Sequence, residues 1–536
     1  MAEDVFVRKA TGLVREVGPF TVLALGAGFT IADGIHFWAF QVPFYNPGTN
    51  YLISMSAGFV FELLATICLL FLTVAMPRTA SDYVAVSRTL HPILGYLDTW
   101  LCWQANVILV GMISYVTATC LGTTLYLTGT ITHSTDLMTV GQLMSTNLMW
   151  GLGIGAIFVI ISALFCLFGM RAYKYTLGIP FAIAVIGTVV ELGAPLWALT
   201  THQSVQSLWN SSFGEGAYQE VVNVAVVNGW EGHTGGVPGW PGKWSWNATL
   251  AAIPAACYLW WGFGYANYVA GEVSEPSKSF LIGFLGSAIL TAIVYYVSIG
   301  VVYAYYGDFL SQYDYVILGG YADQLTIQPS LTPSLMVYSA ATVGGAYPWL
   351  AAIIGLTGTI WVFIDVPIAI LVVSRMTFAM SFDRFFPETF AKVSDRWHSP
   401  TNAIILVTAL SFVTLYISVY YPWVSMLNAF AGMIWRYVLA SWACMLLPFA
   451  KPEIYKKGYT WTVGGLPVVF IVGALSTIVT TWFFFWVIWS IPQTDVSLWW
   501  NTFWWSFALI LFAAYYIYNQ KRGIDVESIW KTVPPA

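Results

Sequence analysis

Four acidic side chains fall inside long apolar runs of this sequence: Asp33, Glu62, Glu191 and Asp365. If such runs cross a bilayer, a carboxylate near the centre costs roughly 2.5–3.5 kcal/mol on insertion scales, so it faces a partner or a wet cavity. A carboxyl in that position has two kinds of chemistry open to it. It can hold a cation, whether an ammonium group or a hard metal ion that takes oxygen ligands. It can also carry a proton, because burial favours the neutral form of an acid. Asp33 stands in Leu25-Gly-Ala-Gly-Phe-Thr-Ile-Ala-Asp-Gly-Ile35, among Gly26, Gly28 and Gly34. A second glycine-punctuated run reads Trp261-Gly-Phe-Gly-Tyr-Ala-Asn-Tyr-Val-Ala-Gly271. Glycine weakens a helix by about 1 kcal/mol relative to alanine. Both runs are therefore places where a helix can open and offer backbone N–H and C=O groups to a charged solute. The same glycines equally allow two helices to pack closely.

The elements that must position these groups follow from composition. The chain has 536 residues, 58% hydrophobic and 8% charged, against about 25% charged in an ordinary soluble domain. Aromatics make up 17%, with 27 Trp, which suits a chain with two membrane–water interfaces. A formal net charge of −5 and the lack of a basic run argue against nucleic acid as a partner. A bilayer core needs about 20 apolar residues per helix. Twelve spans are expected, at 18–40, 51–76, 94–127, 147–168, 175–200, 248–271, 279–306, 346–380, 401–421, 424–449, 464–491 and 497–519. Helices are the default, since lipid cannot satisfy an open sheet edge.

Charge placement tests this reading independently. Eighteen of the 20 Lys and Arg fall on segments that would share one side, from Arg8, Lys9 and Arg15 through Arg375 and Arg384 to Lys531. Lys243 alone falls opposite, and Arg436 lies inside span 10. The positive-inside rule then puts both termini in the cytoplasm of a multi-pass cell-membrane protein. The polar start does not read as a cleaved signal. The expected organisation is a cytoplasmic N-terminus at 1–17, spans 1–5 over 18–200 and an extracellular loop at 201–247. Spans 6–10 over 248–450, spans 11–12 over 451–519 and a cytoplasmic C-terminus at 520–536 complete it. The outer loop holds two glycosylation sequons, at Asn210 and Asn247. Cys68, Cys102, Cys120, Cys166, Cys257 and Cys444 all fall in apolar stretches without metal-ligand spacing and are expected as buried free thiols.

Four stretches in chain order resemble the amino acid–polyamine–organocation (APC) superfamily of permeases. The first is Gly26-Ala-Gly28-Phe-Thr-Ile31-Ala32-Asp33-Gly34-Ile35. The second is Ala75-Met-Pro-Arg-Thr-Ala-Ser-Asp-Tyr83 with Ser87-Arg88 and Pro92-Ile-Leu-Gly95. The third is Gly262-Phe-Gly264 through Gly271-Glu272-Val-Ser-Glu-Pro276. The fourth is Ser374-Arg-Met-Thr-Phe-Ala-Met380 with Asp383-Arg-Phe-Phe-Pro387. The resemblance covers about residues 12–450. It implies an all-α membrane protein with a five-plus-five inverted repeat, broken helices 1 and 6, and two extra C-terminal helices. It also implies alternating access, with Ile31, Ala32, Asp33, Gly34, Gly262, Phe263 and Gly264 contacting substrate and Tyr258 acting as an aromatic gate. The cargo would be an amino acid or an amine, and no cofactor beyond a coupling ion is expected.

Two departures from the family bear on chemistry. Relatives usually carry Gly-Ser-Gly where this chain has Ala32-Asp33-Gly34, and their N–H groups receive the substrate carboxylate. An ionised Asp33 would repel that carboxylate by several kcal/mol at intermediate dielectric. Asp33 then either meets the ammonium of an amine cargo, or holds a proton or ion that drives an amino acid symporter, or merely caps the second half-helix. Asp365 could join Asp33 in holding sodium or a proton, or could pair with Arg436 as a structural ion pair. Some relatives place a Lys in helix 5 as a substitute for sodium, and here only Lys174 lies near it, at the start. Glu62 is expected to hydrogen-bond between helices, Glu191 to sit near the outer interface, and His36 to be a core histidine or a proton relay. The Tyr-Ala-Glu that often ends helix 2 in relatives is replaced by Phe71-Leu-Thr-Val.

Other classes fit less well. A membrane redox enzyme needs intramembrane His pairs, and of six His only His36 lies in a span. A membrane hydrolase needs a nucleophile–base set or HExxH, and no span has one. The expectation is a transporter rather than an enzyme. A receptor that binds without carrying remains the alternative, with no cytoplasmic signalling domain to serve it.

Overall fold

The structure is a computed structural model that describes residues 6–7, 10–232, 244–327, 331–422, 431–490 and 496–535. Arg8, Lys9 and Lys243 lie outside the described residues. The chain is an all-α polytopic membrane protein. Eleven described helices are long and apolar enough to cross a bilayer. They are α1 (Pro19–Asp33, continued by a π-helix at Gly34–Trp38), α2 (Tyr51–Ala75), α3 (Pro92–Thr132), α4 (Leu148–Leu167) and α5 (Gly169–Thr200). The sixth expected span is made of short pieces, Trp246–Ala251, α6 (Ile253–Trp260) and a 3₁₀ segment at Tyr265–Glu272. Then come α7 (Pro276–Tyr306), α8 (Pro348–Phe382), α9 (Thr401–Tyr420), α10 (Ala431–Ala450), α11 (Val468–Ser490) and α12 (Val496–Lys521).

Local chemistry sets several of the helix starts. Proline opens α1, α3, α7 and α8, where its missing N–H has no intrahelical partner to lose. Asn50 caps α2 by accepting from the Ile53 N–H, and Asn147 caps α4 by accepting from Met149 and Trp150. Apolar side chains such as Ile157, Ile186, Val189, Ile289 and Ile478 are exposed on the outside of the bundle, as a lipid-facing surface requires.

α3 and α8 form the centre, packed extensively on each other, with α1 against α7 and α8. Both termini lie on one face. The Val7 N–H donates to Phe382 O, Arg384 reaches Phe6 O, and Arg78 donates to Pro534 O at 2.6 Å. A short helix at Ser81–Thr89 tucks into the same face, fully buried. All six cysteines are free and buried.

The opposite face is closed by folded loops. Helices at Val205–Phe213, Ala217–Val227, Asp308–Leu318 and Leu335–Val343 pack together there. Trp209 is buried against the rings of Phe213, Phe309 and Tyr313. Glu220 pins one loop to another, accepting from the N–H groups of Thr326 at 2.7 Å and Ile327 at 2.8 Å and from the Thr326 hydroxyl. Partial burial pushes its carboxyl up, but these hydrogen bonds outweigh it and hold the group below its ordinary value. A depressed acid lends stability above its ordinary value and loses it only as pH falls through the lowered one. The clasp should thus weaken only at a pH below the ordinary carboxylate range. In Glu220→Gln, amide hydrogen exchange at Thr326 and Ile327 should be faster already at neutral pH. Equal protection in the two proteins would remove the clasp from the account.

Candidate functional site

The two glycine-punctuated runs behave differently. α1 does not unwind. Its backbone stays helical through Asp33 and widens to a π-helix at Gly34–Trp38, and the Tyr295 hydroxyl takes the Thr30 carbonyl at 2.5 Å. Its glycines serve close approach instead. A Cβ at Gly26 would lie 2.7 Å from Phe263 O, and one at Gly34 would lie 1.8 Å from the Tyr295 hydroxyl oxygen. The helix-6 run does break. α6 ends at Trp260, Trp261 is extended, and Gly262 takes φ of +132°, where a side chain would be strained. The freed Gly262 N–H donates to Glu62 Oε1 at 3.2 Å, and the same oxygen accepts from Tyr437 at 2.7 Å. Glu62 thus ties α2 to α10 and to the break, in line with its expected role between helices.

Where the π-helix meets the break, a small cavity lies between α1, α3, α6, α8 and α10. Phe29, Thr30, Asp33, Gly34, Leu109, Tyr258, Leu259, Trp261, Asp365 and Met433 line it. Its free space is about 10 Å³, room for about one water-sized particle. Asp33 Oδ2 accepts from Trp38 Nε1 at 3.0 Å and from the Tyr258 hydroxyl at 3.2 Å. Asp33 makes no capping bond to the backbone, so the capping reading does not hold. Asp365 is buried, with Oδ1 lacking a hydrogen-bond partner among the described residues. Two carboxyls on so small a space cannot both be ionised without a compensating cation. The rings of Phe29, Tyr258 and Trp261 are surfaces that a cation can also use.

Of the residues expected to touch substrate, Asp33, Gly34 and Tyr258 line this cavity, together with Asp365. Ile31, Ala32, Gly262, Phe263 and Gly264 are beside it without lining it. Phe29, Thr30, Leu109, Leu259, Trp261 and Met433 were not anticipated. The alternative pairing of Asp365 with Arg436 does not occur. Arg436 is fully buried, with Nε 2.7 Å from Asp82 Oδ2 and Nη2 2.9 Å from Asn267 Oδ1. Asp98 of α3 is also buried, and neither carboxyl oxygen has a hydrogen-bond partner among the described residues. Arg375, expected on a cytoplasmic segment, is buried within α8 and grips Glu272 with two bonds, at 2.9 and 3.0 Å. Glu191, expected near the outer interface, is buried beside His36.

The fit at Gly34 gives a test. Gly34→Ala should displace Tyr295 from the Thr30 carbonyl, an overpacking of about 1–3 kcal/mol. The variant should lose melting temperature, and adding Tyr295→Phe, which removes the clashing oxygen, should restore part of it. A Gly34→Ala protein as stable as the parent would contradict the packing described. A family model described as "Amino acid permease" matches residues 18–514 of the chain.

Proposed function

The chain belongs to the amino acid permease family, a family of amino acid transporters and not an enzyme class, and on that premise we propose a secondary active transporter working by alternating access. It would move amino acids across the cell membrane with both termini in the cytoplasm. Spans 1–5 and 6–10 would be its two inverted repeats. A proton or sodium ion at Asp33 and Asp365 would couple the movement. The observation that carries this reading is the cavity itself. Two carboxyls face a narrow space where the π-helix of α1 meets the break after α6. Broken or irregular helix backbone at the membrane midplane is where transporters hold substrates and ions.

A cavity of this size cannot take an amino acid, so loading requires helices to part. The contacts that would have to yield on the face of the termini are three buried ion pairs: Arg375–Glu272, Arg436–Asp82 and Arg88–Asp383, the last at 2.7 Å. Arg375–Glu272 is the best placed to act as a gate. Glu272 ends the 3₁₀ segment that follows the break, and its carbonyl accepts from the N–H groups of Glu16 and Val17 at the entry to α1. It therefore links both irregular spans to α8.

One observation favours a second reading, an amine or polyamine carrier. Among the described residues the cavity lining holds two carboxyls and no basic side chain to meet a substrate carboxylate.

Purified protein in liposomes tests the proposal. Preloading with a mixture of unlabelled amino acids should accelerate saturable entry of a labelled one. Binding without flux would make this a receptor, and flux that neither saturates nor responds to preloading would make it a channel.

A further inference from the structure

Three residues past Asp33, the π-helix carries His36. His36 Nδ1 lies 3.4 Å from Glu191 Oε1 of α5, and both side chains are fully buried. Neither ring nitrogen and neither carboxyl oxygen has a hydrogen-bond partner among the described residues. The pair does not line the Asp33–Asp365 cavity. Its surroundings are tight and apolar: a Cβ at Gly358 of α8 would lie 3.2 Å from His36 Nδ1 and 2.8 Å from the Met336 sulfur.

Several titratable groups on the elements packed around the pair are engaged elsewhere. Asp33 of α1 accepts from Tyr258 of α6, and Tyr295 of α7 donates to Thr30. Tyr338, on the helix Leu335–Val343, donates to Asp314 at 2.6 Å. In α8, Arg375 is held by Glu272, and Asp365 faces the cavity. Among the described residues no third charged group pairs with either side chain. A sealed carboxylate beside a neutral imidazole would leave a net charge in the interior, at a cost of several kcal/mol. One proton on the carboxyl removes that charge and leaves imidazole beside carboxylic acid, with no separated charges in the interior.

We propose that His36 and Glu191 form a second proton-binding site, distinct from the Asp33–Asp365 cavity, which holds one proton on the carboxyl beside the imidazole and exchanges it with water when α1 and α5 separate. Uptake adds one H⁺ to the imidazole–carboxylate pair, and release breaks that O–H bond and hands H⁺ to water. The π-helix supplies the link to transport, because its five residues hold both His36 and Trp38, the latter bonded to Asp33. Loading the pair would thereby favour the arrangement of the π-helix that keeps Trp38 on Asp33. The coupling part of this inference rests on the transporter reading above, whereas the proton site itself does not.

The experiment therefore has two arms. Infrared difference spectra of the parent and Glu191→Gln proteins should show a protonated-carboxyl band, sensitive to deuterium, that is missing in the variant. The same band should shift in His36→Gln, which keeps the carboxyl and serves if Glu191→Gln folds poorly. In liposomes, stimulation of uptake by an inward proton gradient should fall about tenfold in either variant, while exchange of internal for external substrate stays within about twofold. A parent spectrum with no band assignable to Glu191, or unchanged proton stimulation in both variants, would overturn the proposal. A parent protein without any substrate exchange would instead overturn the transporter reading, and the infrared arm would still decide whether the site exists.

Discussion

Asp33→Asn should abolish coupled uptake while leaving the protein folded. The amide oxygen of Asn can still accept from Trp38 Nε1 and the Tyr258 hydroxyl, the two bonds that Asp33 makes from one oxygen. Packing is therefore kept and only the charge is lost. A cation about 4 Å from a carboxylate gains about 4 kcal/mol at an effective dielectric of 20. Losing most of that corresponds to roughly a hundredfold or greater loss of ion-driven uptake, at about 1.4 kcal/mol per tenfold. Initial rates under an imposed proton or sodium gradient, with the melting temperature as a control for folding, measure it. If Asp33→Asn leaves both uptake and ion dependence unchanged, Asp33 neither meets the cargo nor couples its movement.

The largest effect on stability is expected at Arg436. Its guanidinium is fully buried, bonded to Asp82 and Asn267, and covered by the rings of Tyr265, Tyr268 and Tyr437, with centroids 4.7–5.4 Å from the guanidinium carbon. Arg436→Met would leave Asp82 as a buried charge without its partner, a change that costs about 3–5 kcal/mol. A marked fall in melting temperature in detergent is expected. Adding Asp82→Asn, which removes the stranded charge, should recover part of the loss. Arg436→Lys should also be poorly tolerated, because an ammonium cannot keep both bonds and the ring stacking. An Arg436→Met protein as stable as the parent would show that this centre does not hold the fold together.

Much of the architecture was legible because lipid imposes simple rules. The apolar run at 51–76 is α2 at Tyr51–Ala75, and the run at 401–421 is α9 at Thr401–Tyr420. The break after α6 was legible too, since Gly262 stands where the backbone needs positive φ. The matching glycines of α1 misled, because Gly26 and Gly34 answer to neighbours, Phe263 and Tyr295, that only the tertiary structure brings near.

Ion-pair partners were the least legible. Pairing with Asp365 was one of two open readings for Arg436, since both are intramembrane charges, yet Arg436 takes Asp82, 354 positions away in sequence. Nothing local marks the helix Ser81–Thr89 as one that tucks its acid under α10. Asp98 meets the same criterion as the four acids singled out first, but it lies near the start of its apolar run and was passed over. Glu272 and Arg375 were both within recognised stretches, and their union needed the fold. At the cavity, Asp33, Gly34, Tyr258 and Asp365 came from sequence, whereas the apolar walls, Leu109 and Met433 among them, are ordinary apolar residues of their helices with no signal to set them apart.

The most direct test of the central claim compares amino acids with their decarboxylated counterparts in the same proteoliposomes, arginine against agmatine and alanine against ethylamine. Saturable uptake of at least one amino acid is expected, dependent on a proton or sodium gradient, with its amine partner carried poorly. The carboxylate is then accepted because Asp33 and Asp365 are neutralised by the coupling ion. Preferential uptake of the amines, independent of any ion gradient, would contradict it and place the cargo's own ammonium against Asp33.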